Sequence, residues 1–185
     1  MTHRTIVALA VLGVVGQILA LLFVAAVLGD SLGWRRPLHV VRSALWGYEL
    51  WAAFAVSSIA TGGSLFFSEI AGFVPCELCW YQRICMYPLS IITLLAALRR
   101  DYRIVVCLLP LPIVGACVSV YHLLVENGVV GQSSACFVSA PGGCATKWIN
   151  EFGYVTIPTL ALTAFALLIE LLGLASVEND ATERR

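Results

Sequence analysis

The sequence predicts an all-α integral membrane protein with five transmembrane spans, and three observations predict it. Hydrophobic residues fill 60% of the 185 positions and charged ones only 12%, where a soluble domain carries about 25%. Mean hydropathy is +0.91. The apolar residues also gather in five runs, each near the ~20 residues that carry a helix across a bilayer. Inside lipid every backbone amide needs a partner within its own segment, so runs of this length are read as helices. Eleven basic residues balance eleven acidic ones, which leaves no electrostatic footprint for a nucleic-acid partner.

The first run, residues 6–28, has Gln17 as its only strongly polar member. Its 23 residues exceed the roughly 7–15 of a signal-peptide apolar region, so it is expected to remain as a span. Residues 29–46 carry Asp30, Arg35, Arg36, His39 and Arg42 with no run long enough to cross; a basic surface loop, in part an interfacial helix, is expected there. The second run, 47–68, holds Ser57, Ser58, Thr61, Gly62, Gly63 and Ser64, small residues that let helices approach closely in lipid. A short connection, 69–78, leads to the third run, 79–98, where Pro88 lacks the amide of a helical hydrogen bond and is an expected kink. The basic turn Arg99-Arg100-Asp101-Tyr102-Arg103 precedes the fourth run, 104–125, with Pro110 and Pro112 as further kink sites. A long polar connection, 126–152, separates it from the fifth run, 153–174, and a short charged tail follows.

Five spans put the termini on opposite sides, and the basic residues decide which side is which. Residues 29–46, the turn 99–103 and the tail hold eight of them, against Arg4 and Lys147 on the other side. By the positive-inside rule the N-terminus lies outside and the tail in the cytoplasm. Cys76 with Cys79, and Cys136 with Cys144, then fall on the oxidising, extracytoplasmic side. Cys85, Cys107 and Cys117 lie inside spans and are expected to be small buried apolar side chains.

The most informative stretch is Pro75-Cys76-Glu77-Leu78-Cys79-Trp80-Tyr81-Gln82-Arg83. Two cysteines three residues apart at a helix start share one face about 5–6 Å apart, within reach of a disulfide. A helix N-terminus and a nearby cation both favour the reactive thiolate. Arg83 follows Cys79 by one turn, ~6 Å along the axis, at a depth where an unpaired cation reads as functional. Glu77 reads as a solvated residue, and Trp46, Trp51, Trp80 and Trp148 as interfacial anchors.

The second cysteine pair stands in Cys-Phe-Val-Ser-Ala-Pro-Gly-Gly-Cys, residues 136–144. A bridge closing this loop is worth roughly 2–3 kcal/mol, and Pro141-Gly142-Gly143 favours the turn it needs. A purely structural bridge therefore stays open from the residues alone. A zinc site of four thiolates is the other alternative; it leaves Arg83 without a role, and no metal is assigned. His122, alone near the outer end of the fourth span, reads either as an interfacial residue or as part of a site.

Taken together these residues resemble the bacterial disulfide-bond formation proteins of the DsbB/BdbC family, membrane thiol:quinone oxidoreductases. The resemblance rests on residues 75–83, on Tyr121-His122, and on Cys144 with Trp148 and Pro158, and covers about 47–175. It implies a four-helix transmembrane bundle, from which the first span departs as one additional N-terminal transmembrane helix. Residues 1–46 would be that helix and a basic cytoplasmic loop, 47–175 the bundle, and 176–185 a cytoplasmic tail. The resemblance further implies a multi-pass protein of the bacterial plasma membrane, bedded in lipid. Its catalytic residues would be Cys76, Cys79, Cys136 and Cys144, its quinone-binding residues Arg83 and His122. The quinone would be ubiquinone or menaquinone, and the partner an extracytoplasmic DsbA-like thioredoxin-fold protein. That partner would attack a Cys136–Cys144 disulfide through Cys136; Cys144 would pass the electrons to Cys76 and Cys79, and Cys79 would meet the quinone. The short spacing of Cys136 and Cys144 is closer to the Gram-positive type. Two other classes compete: a non-catalytic membrane protein with structural external disulfides, and a quinone reductase like the vitamin K epoxide reductases. In the latter the Cys-x-x-Cys pair falls late in the bundle, unlike here.

Overall fold

Among the described residues, every regular element that these apolar runs build is a helix, apart from one isolated bridge, Glu151 to Val155. The computed structural model describes residues 2–32, 35–140 and 142–183. Among the described residues, five helical stretches are long and apolar enough to cross a membrane: Thr2–Ser31, Glu49–Ile70, Glu77–Arg99, Val105–Glu126 and Ile157–Val177. The all-α architecture and the five spans are those expected.

The boundaries differ from the hydropathy reading where local chemistry intervenes. Helix α1, Thr2–Ser31, extends beyond its apolar run at both ends. Within residues 29–46, where a basic loop with a partial helix is expected, Arg35–Leu45 form a helix, α2. The second span is α3, Glu49–Leu65, continued by a π-turn, Phe66–Ile70. Helix α4, Glu77–Arg99, runs unbroken through Pro88. The fourth run divides into α5, Val105–Leu108, and α6, Pro110–Glu126, with Pro110 at the first position of α6, where its fixed φ and missing amide cost nothing. In the long connection, α7, Ser134–Ser139, is followed by a 3-10 turn, Gly143–Ala145. The last helix, α8, starts at Ile157 rather than 153 and runs to Glu183.

Helices α3, α4, α6 and α8 pack in a closed ring, each against its two neighbours, and α1 lies outside the ring against α8. Leu89, Val105, Phe165, Leu168 and Leu172 are fully buried at the centre. Dispersion and close fit hold such a bundle together, because burial away from lipid gains little hydrophobic energy. Small residues set the closest approaches: a Cβ on Gly115 of α6 would run into the Phe165 ring of α8. Polar pairs tie the same seams. Ser57 of α3 meets Thr93 of α4 at 3.3 Å, and Gln82 of α4 donates to Ser119 of α6 at 3.1 Å.

Cys85 is half-buried, and Cys107 and Cys117 are exposed on the bundle's outer surface rather than buried as expected. Lipid solvates a small apolar thiol as well as a protein core does, so facing outward carries no penalty.

Candidate functional site

Cys76 is the N-cap of α4: its extended backbone, φ −77° and ψ 173°, turns the chain into the helix, and its sulfur accepts from the Cys79 amide at 3.4 Å. The two sulfurs lie 3.1 Å apart, in hydrogen-bond contact, and when Cys76 is ionised the proton between them is held by Cys79. Cys76 is buried and Cys79 half-buried, and neither is in a disulfide. Donation from Cys79, joined by the hydrogen bond of His122, brings the Cys76 thiol from 9.0 down to about 4 against the opposing effect of burial.

His122 reaches this pair from α6. Its Nε2 is 3.0 Å from the carbonyl oxygen of Cys144 and 3.7 Å from the Cys76 sulfur. A carbonyl only accepts, so Nε2 carries the hydrogen, and Nδ1 is left to accept from the Gln82 amide at 3.5 Å. The imidazole thus bridges α4 and the long connection. His122 is absent from the larger cavity described below; it stands beside Cys76 and Cys144.

Cys136 and Cys144 form a disulfide with Cα atoms 5.3 Å apart. Gly142 and Gly143, both at positive φ, return the chain to close it, a conformation that glycine adopts at no steric cost; Pro141, the first residue of the expected turn, lies outside the described residues. Gln132 accepts from the Ala145 amide at 3.1 Å and holds the returning strand. With Cys76, Leu78, Val125 and Ala140, these two cysteines form one buried cluster, against which Cys79 packs. Cys76, Cys79 and His122 could in principle offer three metal-ligand atoms within 4.8 Å of one another, but with Cys136 and Cys144 bonded to each other, a site of four thiolates is not formed.

Glu77 does more than face solvent. It accepts from Tyr81 at 2.6 Å and from Ser133 at 3.3 Å, and Ser133 caps α7 through the Cys136 amide. This carboxylate therefore ties the start of α4 to the helix that carries Cys136. Sequence reading also passed over Glu126, four residues and one turn beyond His122. Its side chain is only 7% exposed; one oxygen accepts from Thr156 at 3.0 Å and the other has no partner among the described residues. The signal was its place as the last residue of an apolar span, one turn from a histidine.

Two cavities flank the cysteines. The smaller is lined by Cys76, Cys79, His122, Glu126, Cys144 and Trp148. The larger, about 290 Å³, lies at the level of the spans between α1, α3 and α8 and is lined mostly by apolar side chains, with Cys79, Arg83, Ser64 and Gln82 among its polar members. Cys79 thus belongs to both, whereas Cys76 belongs only to the smaller. Arg83 is held in place by two hydrogen bonds to Ser64, one to the hydroxyl and one to the carbonyl, each 2.9 Å, and stands 5.2 Å over the Trp80 ring. Trp148 stacks on Phe73 and Phe73 on Phe67, at 5.3 and 6.1 Å. That stack joins the long connection to the end of α3 beside the larger cavity. Trp80 and Trp148, expected as membrane anchors, therefore also have contacts within the site.

The family model for the disulfide bond formation protein DsbB matches residues 48–175. Disulfide bond formation protein C of Bacillus subtilis is 47% identical over 133 residues, which cover 71% of this chain and 94% of the relative. A probable disulfide formation protein C 1 of Bacillus anthracis is 48% identical over 118 residues, 64% of this chain and 84% of the relative. A probable disulfide formation protein of Deinococcus radiodurans is 41% identical over 133 residues, 67% and 86% of the two chains. No solved structure matches the chain.

Proposed function

The chain belongs to the DsbB family of disulfide bond formation proteins, and on that premise we propose that it is a membrane thiol:quinone oxidoreductase. It reoxidises an extracytoplasmic DsbA-like protein of thioredoxin fold and delivers the electron pair to a quinone of the lipid phase. One observation carries this reading: a dithiol with one sulfur beside a disulfide and the other in an apolar cavity next to a tethered arginine.

A thiolate of the partner attacks the Cys136 sulfur, the Cys136–Cys144 bond breaks, and the partner's second thiol then displaces Cys136, so that the partner leaves oxidised. Cys136 is only 2% exposed, while its neighbours Phe137 and Val138 are 62% and 89% exposed. The partner would therefore dock on an apolar surface and reach the sulfur as α7 shifts. The Cys144 thiolate next attacks the oxidised Cys76–Cys79 pair at Cys76, releasing Cys79. Cys136 then displaces Cys76 from Cys144 and restores the loop disulfide. The arrangement described above, with loop pair oxidised and helix pair reduced, is the product of that step.

The larger cavity fits a quinone by its chemistry, since its lining is apolar and lies within the spans, with Arg83 and Cys79 as polar members. Ubiquinone and menaquinone both suit it. When bound there, a quinone supplies a lipid-soluble acceptor for two electrons and two protons. Arg83 would hold its carbonyl oxygen and favour negative charge on it, while Cys79 presents the reducing sulfur. His122, whose Nε2 lies 3.7 Å from the Cys76 sulfur, would stabilise that thiolate, and Glu126 would take and hold a thiol proton at its unpartnered oxygen. The direction follows from driving force. A DsbA-type partner near roughly −120 mV is reoxidised only by a stronger acceptor.

Gly13 of α1 faces Leu160 of α8, and Gly16 faces Thr163 and Leu167, so the two helices run parallel. The N-terminus then shares the side of the cysteine connections, which supports an outside N-terminus and a cytoplasmic tail in the bacterial plasma membrane.

The test is quinone absorbance over time, with purified protein, excess quinone and a reduced DsbA-type partner, comparing wild type with Cys79→Ser. Catalytic loss of the quinone band in wild type, abolished in the variant, is expected. No turnover in wild type with either quinone type would overturn the reading in favour of structural disulfides.

A further inference from the structure

Helix α1 has no counterpart in the matched family region, which begins at residue 48. The 133 matched residues already account for 94% of the Bacillus subtilis relative, leaving too little of that protein for another span. In this chain, however, α1 contributes Leu9, Leu12, Gly13, Val15, Gly16 and Leu19 to the wall of the larger cavity.

The way α1 is seated explains why a cavity forms there. A Cβ on Gly13 would run into Leu160, and one on Gly16 would come within 3.1 Å of Thr163 and 3.3 Å of Leu167. The two glycines therefore let α1 press against α8. Towards α3 the fit is looser: α1 packs on α8 and α2 but only slightly on α3, and the space above Gly63 is bounded by Leu9 at 3.6 Å. The result is an apolar slot between α1 and α3, continuous with Ser64, Arg83 and Cys79. Without α1, this side of the site would open directly to lipid. An occupant must be apolar along most of its length, enter from the membrane and carry a reducible polar end to Cys79.

We propose that α1 encloses the prenyl tail of the acceptor, so that this protein selects isoprenoid quinones by their tails as well as by their rings. The inference rests on the thiol:quinone reading above. Arg83 and Cys79 serve the ring; Leu12, Val15 and Leu19 line the path of the tail. Removing the tail should then cost affinity that relatives without α1 do not lose.

Binding to the full-length protein is measured by quenching of intrinsic tryptophan fluorescence and by thermal shift, with two probes: a quinone carrying several isoprene units and the same ring without a tail. Val15→Phe narrows the slot and keeps both glycines; Gly13→Leu pushes α1 from α8. Wild type is expected to prefer the tailed quinone, and each variant to lower that preference by about tenfold or more, the cost of a few lost apolar contacts. Affinity for the tailless ring and exchange at the Cys136–Cys144 disulfide should stay unchanged. If wild type binds neither quinone, the acceptor reading itself falls. If wild type binds both quinones but the variants leave their affinity ratio unchanged, only the role of α1 falls. Competition by phospholipid with no effect of tail length would overturn the proposal in favour of an acyl chain in the slot.

Discussion

At the first turn of α4, the Cys76 sulfur is in hydrogen-bond contact with the Cys79 thiol, accepts from the Cys79 amide and lies 3.7 Å from His122. Hydrogen bonds to the charged form favour it, so Cys76 is the acidic sulfur, with its thiol brought down to about 4. In the reduced protein a depressed value contributes stability that is fully present above the ordinary 9.0 and is lost as pH falls through about 4. Alkylation of the reduced protein should therefore show a Cys76 thiolate that persists down to about pH 4. Cys79→Ala, which removes the largest cause, should move that midpoint up further than His122→Phe does. An unshifted midpoint in Cys79→Ala would reject the hydrogen-bond account. Arg83 acts elsewhere: its two bonds to Ser64 aim the guanidinium at the larger cavity. Arg83→Ala should lower the rate of quinone reduction by about 10²-fold, as for the loss of one preorganised donor, yet leave exchange at Cys136–Cys144 nearly intact. Stopped-flow absorbance with each substrate separates the two, and Arg83→Lys should recover only part of the loss because it lacks the planar fork.

Among the elements, the seam between α6 and α8 is the least tolerant of added volume. Gly115 admits the Phe165 ring where any side chain would collide, and overpacking of this kind costs about 1–3 kcal/mol. Gly115→Leu should lower the thermal midpoint in detergent, whereas Gly173→Ala, with nothing within 4 Å of its added carbon, should leave it unchanged or raise it, since glycine is a poor helix former. Equal midpoints for the two would show that the seam relaxes freely. The spans themselves were legible because hydropathy over ~20 residues depends on composition alone. Their ends were not. Helix α2 is amphipathic rather than apolar, the π-turn at Phe66–Ile70 has no compositional mark, and α8 begins only after the turn closed by the Glu151–Val155 bridge.

Across the whole molecule, the motif residues were legible one by one, but their meeting was not. Cys76 and His122 are 46 positions apart, and no periodicity connects them; only the ring of α3, α4, α6 and α8 does. The slot beside α1 was equally hidden, because it depends on which face of a uniformly apolar helix meets α8. Orientation, by contrast, can be argued twice over. Basic residues cluster in 29–46, 99–103 and the tail, and α1 runs parallel to α8 with its N-terminus on the side of the cysteine connections. An epitope appended before Met1 should therefore be reached by antibody from outside intact spheroplasts, and one appended after Arg185 only once the membrane is opened. Reversing the charge bias tests the cause: Arg35→Glu with Arg36→Glu and Arg42→Glu removes three of the eight retained basic residues and should yield a fraction of chains with a misplaced first span. Those chains would expose the first epitope to the cytoplasm, while the bundle, still directed by Arg99, Arg100 and Arg103, keeps both cysteine pairs outside. A first epitope that is cytoplasmic in the wild type would instead require α1 to run against α8, contrary to the contacts of Gly13 and Gly16.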